Sequence, residues 1–466
     1  MRDVHLMDDK KGSLLIKNAR HIITCDDDDR VLENASIYIT DGVIRSVSPG
    51  TPTLEQSASD CRPVIDATGM AVYPGLINTH HHLYQILTRN LPEVQNLELF
   101  DWLRSLYGIW KHLNADALYA AASAGLGELL LSGCTTCFDH HYVFPKGGGD
   151  LLEAEFAAAE RLGIRMVASR GSMSLGESSG GLPPDSVVQS VDEILADSLS
   201  AVERFHDLSH GSMRQVVLAP CSPFSVTPDL MRESAILARS HKARLHTHLA
   251  ETKDEETFVV AKTGVRPLKY MESLGWTGPD VWFAHGIHFN EEELRILAET
   301  ATGVAHCPTS NMKLSSGVAR IPEMLELGVP VGLAVDGSAS NDCSGALQEM
   351  RIGYLLHRLT VAERAPSGYD MLKIATRGGA ALLGRSDIGH IAEGMSADLF
   401  LVDENRLELA GACFDYKTVL AAVGISGAVD HTIVNGNVVV RGGRLEKAEA
   451  AQLCRAACRE AQKMRD

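Results

Sequence analysis

Eight short apolar runs lie between residues 72 and 385, and each ends in His, Asp, Arg or Cys. The ends are Asn78-Thr79-His80, Phe138-Asp139-His140-His141, Ala168-Ser169-Arg170, Ala219-Pro220-Cys221-Ser222, His246-Thr247-His248, Phe283-Ala284-His285, Val304-Ala305-His306-Cys307 and Leu333-Ala334-Val335-Asp336. Runs of this kind read as strands buried on both faces. Between them, stretches such as Ala117 to Leu131, Leu152 to Leu162 and Pro228 to Ser240 carry apolar residues at helical spacing. Eight βα units predict an α/β fold, a distorted TIM (β/α)8 barrel over residues 73–385, whose active site gathers at the C-terminal strand ends. The polar residues stand at that face.

The flanks have a different texture. Between Leu14 and Ile65, short strands alternate with turns such as Asp41-Gly42, and after Gly384 the pattern returns in Ala397 to Val402 and in a hairpin around Asn435-Gly436. The two chain ends, residues 13–72 and 386–446, are expected to build one small β-sandwich domain together. Residues 447–466 read as a C-terminal helix and residues 1–12 as a polar tail. The acidic run Asp26 to Asp29 reads as a solvated turn.

With 45% hydrophobic and 22% charged residues the composition is that of a globular protein. A net charge of -17 disfavours nucleic acid and anionic membranes as partners, since phosphate binding needs clustered Lys and Arg. No apolar run reaches the roughly 18 residues of a membrane span, and no signal-peptide pattern opens the chain. A cytoplasmic protein is the expectation, its ten cysteines reduced. The Cys134/Cys137 pair has redox or zinc spacing but lacks a second pair, and residues three apart on a strand face opposite ways. Cys454 and Cys458, four apart on the terminal helix, suggest no function.

Pro74-Gly75-Leu76-Ile77-Asn78-Thr79-His80-His81-His82 is the richest strand end. On extended chain His80 and His82 share a face and His81 points away. Taken alone, the stretch suits either a metal site or a polar strand end bonded to backbone. Other strand ends supply complementary groups. His248 closes strand five with Glu251 one turn on, His285 closes strand six and Asp336 closes strand eight. An ionised carboxylate at the end of an apolar strand needs a partner or a cation. His80, His82, His248 and Asp336 suit one divalent metal, Zn²⁺ or Fe²⁺, with a position left for water. Glu251 is placed as general base and His285 as a contact to that water, while His246 would support His248 from the same face. No lysine ends strand four to bridge a second metal, so one ion is expected.

These motifs, with Val335-Asp336-Gly337 and the segment Ile391-Ala392-Glu393-Gly394-Met395-Ser396-Ala397-Asp398-Leu399, resemble the amidohydrolase superfamily, in particular its branch of deaminases and chlorohydrolases acting on purines, pyrimidines and triazines. The resemblance implies that His80, His82, His248 and Asp336 bind the metal, that Glu251 shuttles protons, and that His285 and Asp336 orient the nucleophile. Asp139-His140-His141-Tyr142-Val143-Phe144-Pro145, Arg170-Gly171-Ser172-Met173 and Ala219-Pro220-Cys221-Ser222-Pro223-Phe224-Ser225 are similar to segments of the bacterial deaminases of 8-oxoguanine. Deaminases of adenosine thioethers usually carry His where Cys221 stands. The resemblance thus implies a small heterocyclic amine as substrate, an oxidised purine foremost, and a homo-oligomer. Other aminated heterocycles, such as isocytosine, guanine or a hydroxytriazine, remain alternatives.

Gln85, Trp102, Tyr142, Arg170, Cys221 and Asn341 are candidate contacts to a planar, carbonyl-rich ring, through amide or guanidinium hydrogen bonds and aromatic stacking. His140, His141 and His306 share the face. The Gly/Ser-rich segment from Gly171 to Pro184 is expected to lie over the barrel mouth.

Overall fold

The computed structural model describes residues 12–50 and 63–465; residues 1–11 of the expected polar tail lie outside them. All eight anticipated strands are present and parallel, in chain order: Leu76–Asn78, Cys134–Asp139, Arg165–Ser172, Arg214–Pro220, Arg244–Leu249, Val281–His285, Gly303–His306 and Val331–Leu333. They are referred to below as barrel strands one to eight. Strands one and eight close the ring beyond their regular ends. Thr79 N–H donates to the Leu333 carbonyl at 3.1 Å, and His81–His82 pairs in parallel with Asp336–Gly337. This closing bridge brings the first histidines beside the last aspartate.

Inside the ring, Ile77, Phe138, Val167, Val217, Ala219, Trp282 and Ala305 form a packed core. Trp282 reaches across it, donating through Nε1 to the Thr79 carbonyl at 3.1 Å. Several of the helices outside begin at side-chain caps, which supply an acceptor to otherwise unpaired N–H groups. Asn114 caps Ala115–Leu131, Asp150 caps Leu151–Leu162 and Thr227 caps Pro228–Ser240.

The two chain ends do meet. They form one continuous nine-stranded sheet in which Met70–Pro74 pairs with both Ser13–Ile23 and Leu399–Asp403. Its own apolar core includes Ile16, Ile37, Ile39, Val72, Leu399, Leu401 and Ile433. The acidic turn is solvated at Asp27 and Asp28, as expected, but it also docks on the barrel. Asp29 accepts the Tyr369 hydroxyl at 2.8 Å and pairs with Lys373, and Asp27 pairs with Arg377.

Sheet and barrel join through a buried ion pair. Arg165, at the start of strand three, donates to Asp398 from Nη2 at 3.0 Å and from Nε at 3.3 Å, and both side chains are almost wholly buried. Nearby, the Phe400 ring lies where a side chain on Gly133 would stand, 2.8 Å from a built Cβ, and Gly133 has a φ of +81°. Only glycine fits there.

Replacing Arg165 by Leu leaves Asp398 buried and uncompensated, which is expected to destabilise the fold by about 3–5 kcal/mol. Urea unfolding checks this, and a loss below about 1 kcal/mol contradicts the joining role.

Candidate metal and catalytic site

Three imidazoles point one nitrogen each at a common place. His82 Nδ1–H donates to the His140 carbonyl at 2.7 Å, and His248 Nδ1–H donates to the Cys221 carbonyl at 2.6 Å. Each bond fixes a tautomer and leaves Nε2 as a bare lone pair. His80 is fixed through a longer relay. His246 Nδ1–H donates to the Trp282 carbonyl at 2.9 Å, so its Nε2 accepts from His80 Nδ1–H at 2.8 Å. His80 Nε2 is buried and makes no hydrogen bond.

The bare nitrogens stand close together. His82 Nε2 and His248 Nε2 are 3.1 Å apart, and Asp336 Oδ1 lies 3.3 Å from Nε2 of both His80 and His82. Four acceptors with no proton among them repel. A cation bound at about 2.0–2.1 Å with tetrahedral angles spaces its ligands about 3.3–3.4 Å apart, and the three spacings just given lie close to that. The donor set therefore fits one divalent metal ion held by His80, His82, His248 and Asp336. Burial, and then the neighbouring imidazoles, hold His82 and His248 well below the ordinary histidine value, so both are neutral donors at pH 7.

Glu251 and His285 stand beside this set. His285 Nε2 is 3.5 Å from Glu251 Oε2 and 4.0 Å from Asp336 Oδ2. The Asn311 side-chain oxygen, 2.9 Å from Nδ1, orients the ring. Burial pushes the Glu251 carboxyl up to about 7, against the lowering effect of His285. Glu255 holds the turn by accepting the N–H groups of Ala250 and Glu251, both at 2.9 Å. His285 and Asp336 both have left-handed backbone, φ +72° and +62°. Such conformations are costly outside glycine and gather at functional sites.

A narrow cavity opens onto these groups. Its walls include His82, Gln85, Trp102, Tyr142, Cys221, His248, Glu251, His285 and Asp336, so four of the six expected substrate contacts face it. Arg170 does not. Strand alternation turns its side chain outward, where it donates to Gln189 and Asp197 and covers the Phe144 ring. Asn341 is also absent from the walls; it donates to the Val335 carbonyl and to Glu349, bracing the loop that presents Asp336. The Cys221 thiol is pushed up to about 12, by burial first, and stays protonated.

Five wall residues escaped the sequence reading. Leu99 and Leu103 flank Trp102 on helix Leu99–Trp110, Phe224 follows strand four, Leu314 follows helix Pro308–Lys313, and Ser340 lies on the loop after Asp336. The segment after strand three gives Met173 and Leu182 to the surrounding apolar cluster but no wall residue. His306 sits behind the site, its Nε2 3.1 Å from His357. His140 stacks on His248 and donates through Nε2 to the Ala219 carbonyl.

Residues 71–439 match the sequence profile of the Amidohydrolase family. The chain belongs to this family. It is 47% identical over 399 residues to the 8-oxoguanine deaminase of Pseudomonas aeruginosa, covering 86% of this chain and 88% of that protein. It is 42% identical over 450 residues to the hydroxydechloroatrazine ethylaminohydrolase of Pseudomonas sp. strain ADP, covering 94% and 92%. The zinc-complexed atrazine chlorohydrolase of Arthrobacter aurescens TC1 superposes with a TM-score of 0.91 at 32% identity, over 96% of this chain and all of that one. This amidohydrolase is thus a hydrolase with a buried cluster suited to a divalent metal. Among the described residues, no helix is long and apolar enough to cross a membrane.

Because the imidazoles of His80, His82 and His248 are all held below the ordinary histidine value by burial, metal affinity is expected to stay nearly level between about pH 7.5 and 6, where a free imidazole loses ligand capacity. Competition with a chelator measures this. His82→Asn should weaken binding at least about tenfold, and a variant that keeps wild-type affinity removes His82 from the ligand set.

Proposed function

We propose that this amidohydrolase is a hydrolytic deaminase of an oxidised purine, converting 8-oxoguanine and water to urate and ammonia. The observation that carries the reading is Glu251, a buried carboxyl beside the three bare imidazoles and at the wall of the narrow cavity that opens onto them. The similarity to an 8-oxoguanine deaminase over most of both chains supports the substrate. Zn²⁺ is the proposed ion, with Fe²⁺ accepted by the same donors.

His80, His82, His248 and Asp336 would hold a divalent ion, which would lower the pKa of water toward neutrality. Glu251 takes a proton from the attacking water and delivers it to the ring nitrogen next to the amine-bearing carbon. A carboxyl pushed up to about 7 both accepts and returns a proton near neutral pH. His285, fixed through Asn311, faces Glu251 and Asp336 and hydrogen-bonds the developing oxyanion. The carbon becomes tetrahedral, the proton left on the added hydroxyl is passed to the amine, the C–N bond breaks and ammonia leaves as the carbonyl forms. Gln85 pairs with the edge of the ring, and Trp102 and Tyr142 pack against it.

A second reading is an aminohydrolase that removes an alkylamine from a hydroxytriazine, supported by the 42% identity over nearly the whole chain. It needs the same metal donors and Glu251, with discrimination left to the cavity walls.

Two measurements test the proposal. Glu251→Gln should keep the bound metal and lose about 10²- to 10⁴-fold in kcat; near wild-type turnover contradicts the assigned base. In a panel of 8-oxoguanine, guanine, isocytosine, thioether adenosines and hydroxytriazine alkylamines, kcat/KM should be highest for 8-oxoguanine. Preference for the triazine selects the second reading.

A further inference from the structure

The residues that end strand two divide between two environments. Phe138 and His140 face the barrel interior, against Trp282, His246 and His248. Alternation turns Asp139 and His141 outward, where Glu155 of helix Leu151–Leu162 meets them. The three side chains are 0% exposed, and their ligating atoms lie within 4.8 Å of one another. Asp139 Oδ1 accepts the Leu83 N–H at 2.6 Å. Asp139 Oδ2 and the Glu155 oxygens face each other and find no further hydrogen-bond donor, and His141 has no side-chain partner, only a weak contact to the Val143 backbone.

Charge decides what such a group can hold. Among the described residues, neither carboxylate has a Lys or Arg partner. Two buried carboxyls facing one another hold either a shared proton or a cation. His141 cannot be that cation, because burial, and then the Arg170 charge, push its pKa down to about 3. It is a neutral lone-pair donor set against two carboxylates, and oxygen donors with an imidazole suit a divalent transition ion.

We propose that Asp139, His141 and Glu155 form a second divalent-cation site, outside the barrel wall, which takes an ion such as Zn²⁺ or Mn²⁺. Its place gives it a structural part. Asp139 holds the Leu83 N–H, and the His140 carbonyl accepts His82 Nδ1–H, so the ion ties helix Leu151–Leu162 to both supports of the His82 segment.

The test counts metal. Full-length protein is saturated with Zn²⁺ or, separately, Mn²⁺, dialysed against metal-free buffer and analysed by inductively coupled plasma mass spectrometry. Two equivalents per chain are expected in the wild type with at least one of these ions, and one in Glu155→Gln. His141→Gln serves the same comparison if Glu155→Gln does not fold. A single equivalent in the wild type with both ions overturns the proposal and leaves a shared proton between Asp139 and Glu155. An unchanged count in the folded variants also overturns it.

Discussion

The site depends on the mutual repulsion of four acceptors. Nε2 of His80, His82 and His248 and Oδ1 of Asp336 gather in a buried place with no proton between them, His82 Nε2 standing 3.1 Å from His248 Nε2 and Asp336 Oδ1 3.3 Å from Nε2 of His80 and of His82. Each imidazole is turned this way by a hydrogen bond on its other nitrogen, to a backbone carbonyl or to His246. The carbonyls belong to strand ends or the residues just after them, so the barrel's hydrogen bonding sets the tautomers. A positive charge relieves the repulsion, and the fold maintains the arrangement that calls for one.

The rest of the architecture supports that convergence. His80 and His82 leave strand one just as the ring closes, and the pairing of His81–His82 with Asp336–Gly337 brings the last ligand to the first. His285 and Asp336 keep left-handed backbone that their neighbours must stabilise, through Asn311, Ser340 and the Gly337 N–H. Glu251 is held over the site by Glu255, a second buried carboxylate that bonds only to N–H groups of the same turn. Leu99, Trp102, Leu103, Phe224 and Leu314 give the cavity over these groups apolar walls.

Much of this was legible in the sequence because strand ends carry their own signal. An apolar run that stops at His, Asp, Arg or Cys marks both the strand and the mouth of the barrel, and all eight were placed this way. Pairing of the two chain ends was legible for a similar reason, since alternation and Asn-Gly turns recur in both. What escaped depends on which way a side chain turns and what packs against it. Arg170 stands at a strand end like the ligands, yet its register points it outward to Asp197. Glu155 looks like an ordinary residue of an amphipathic helix, and only the packing of that helix brings it to Asp139. The docking of Asp29 on Tyr369 and Lys373 joins residues some 340 positions apart, beyond the reach of any local pattern.

Anomalous diffraction from crystals of the metal-loaded protein, recorded at the absorption edge of the bound ion, tests the central claim most directly. A peak is expected about 2.0–2.2 Å from Nε2 of His80, His82 and His248 and from a carboxylate oxygen of Asp336, with the Glu251 carboxyl facing it from outside the ligand set. No peak among those four atoms in metal-loaded crystals, or an ion that Glu251 ligates in place of Asp336, contradicts the account.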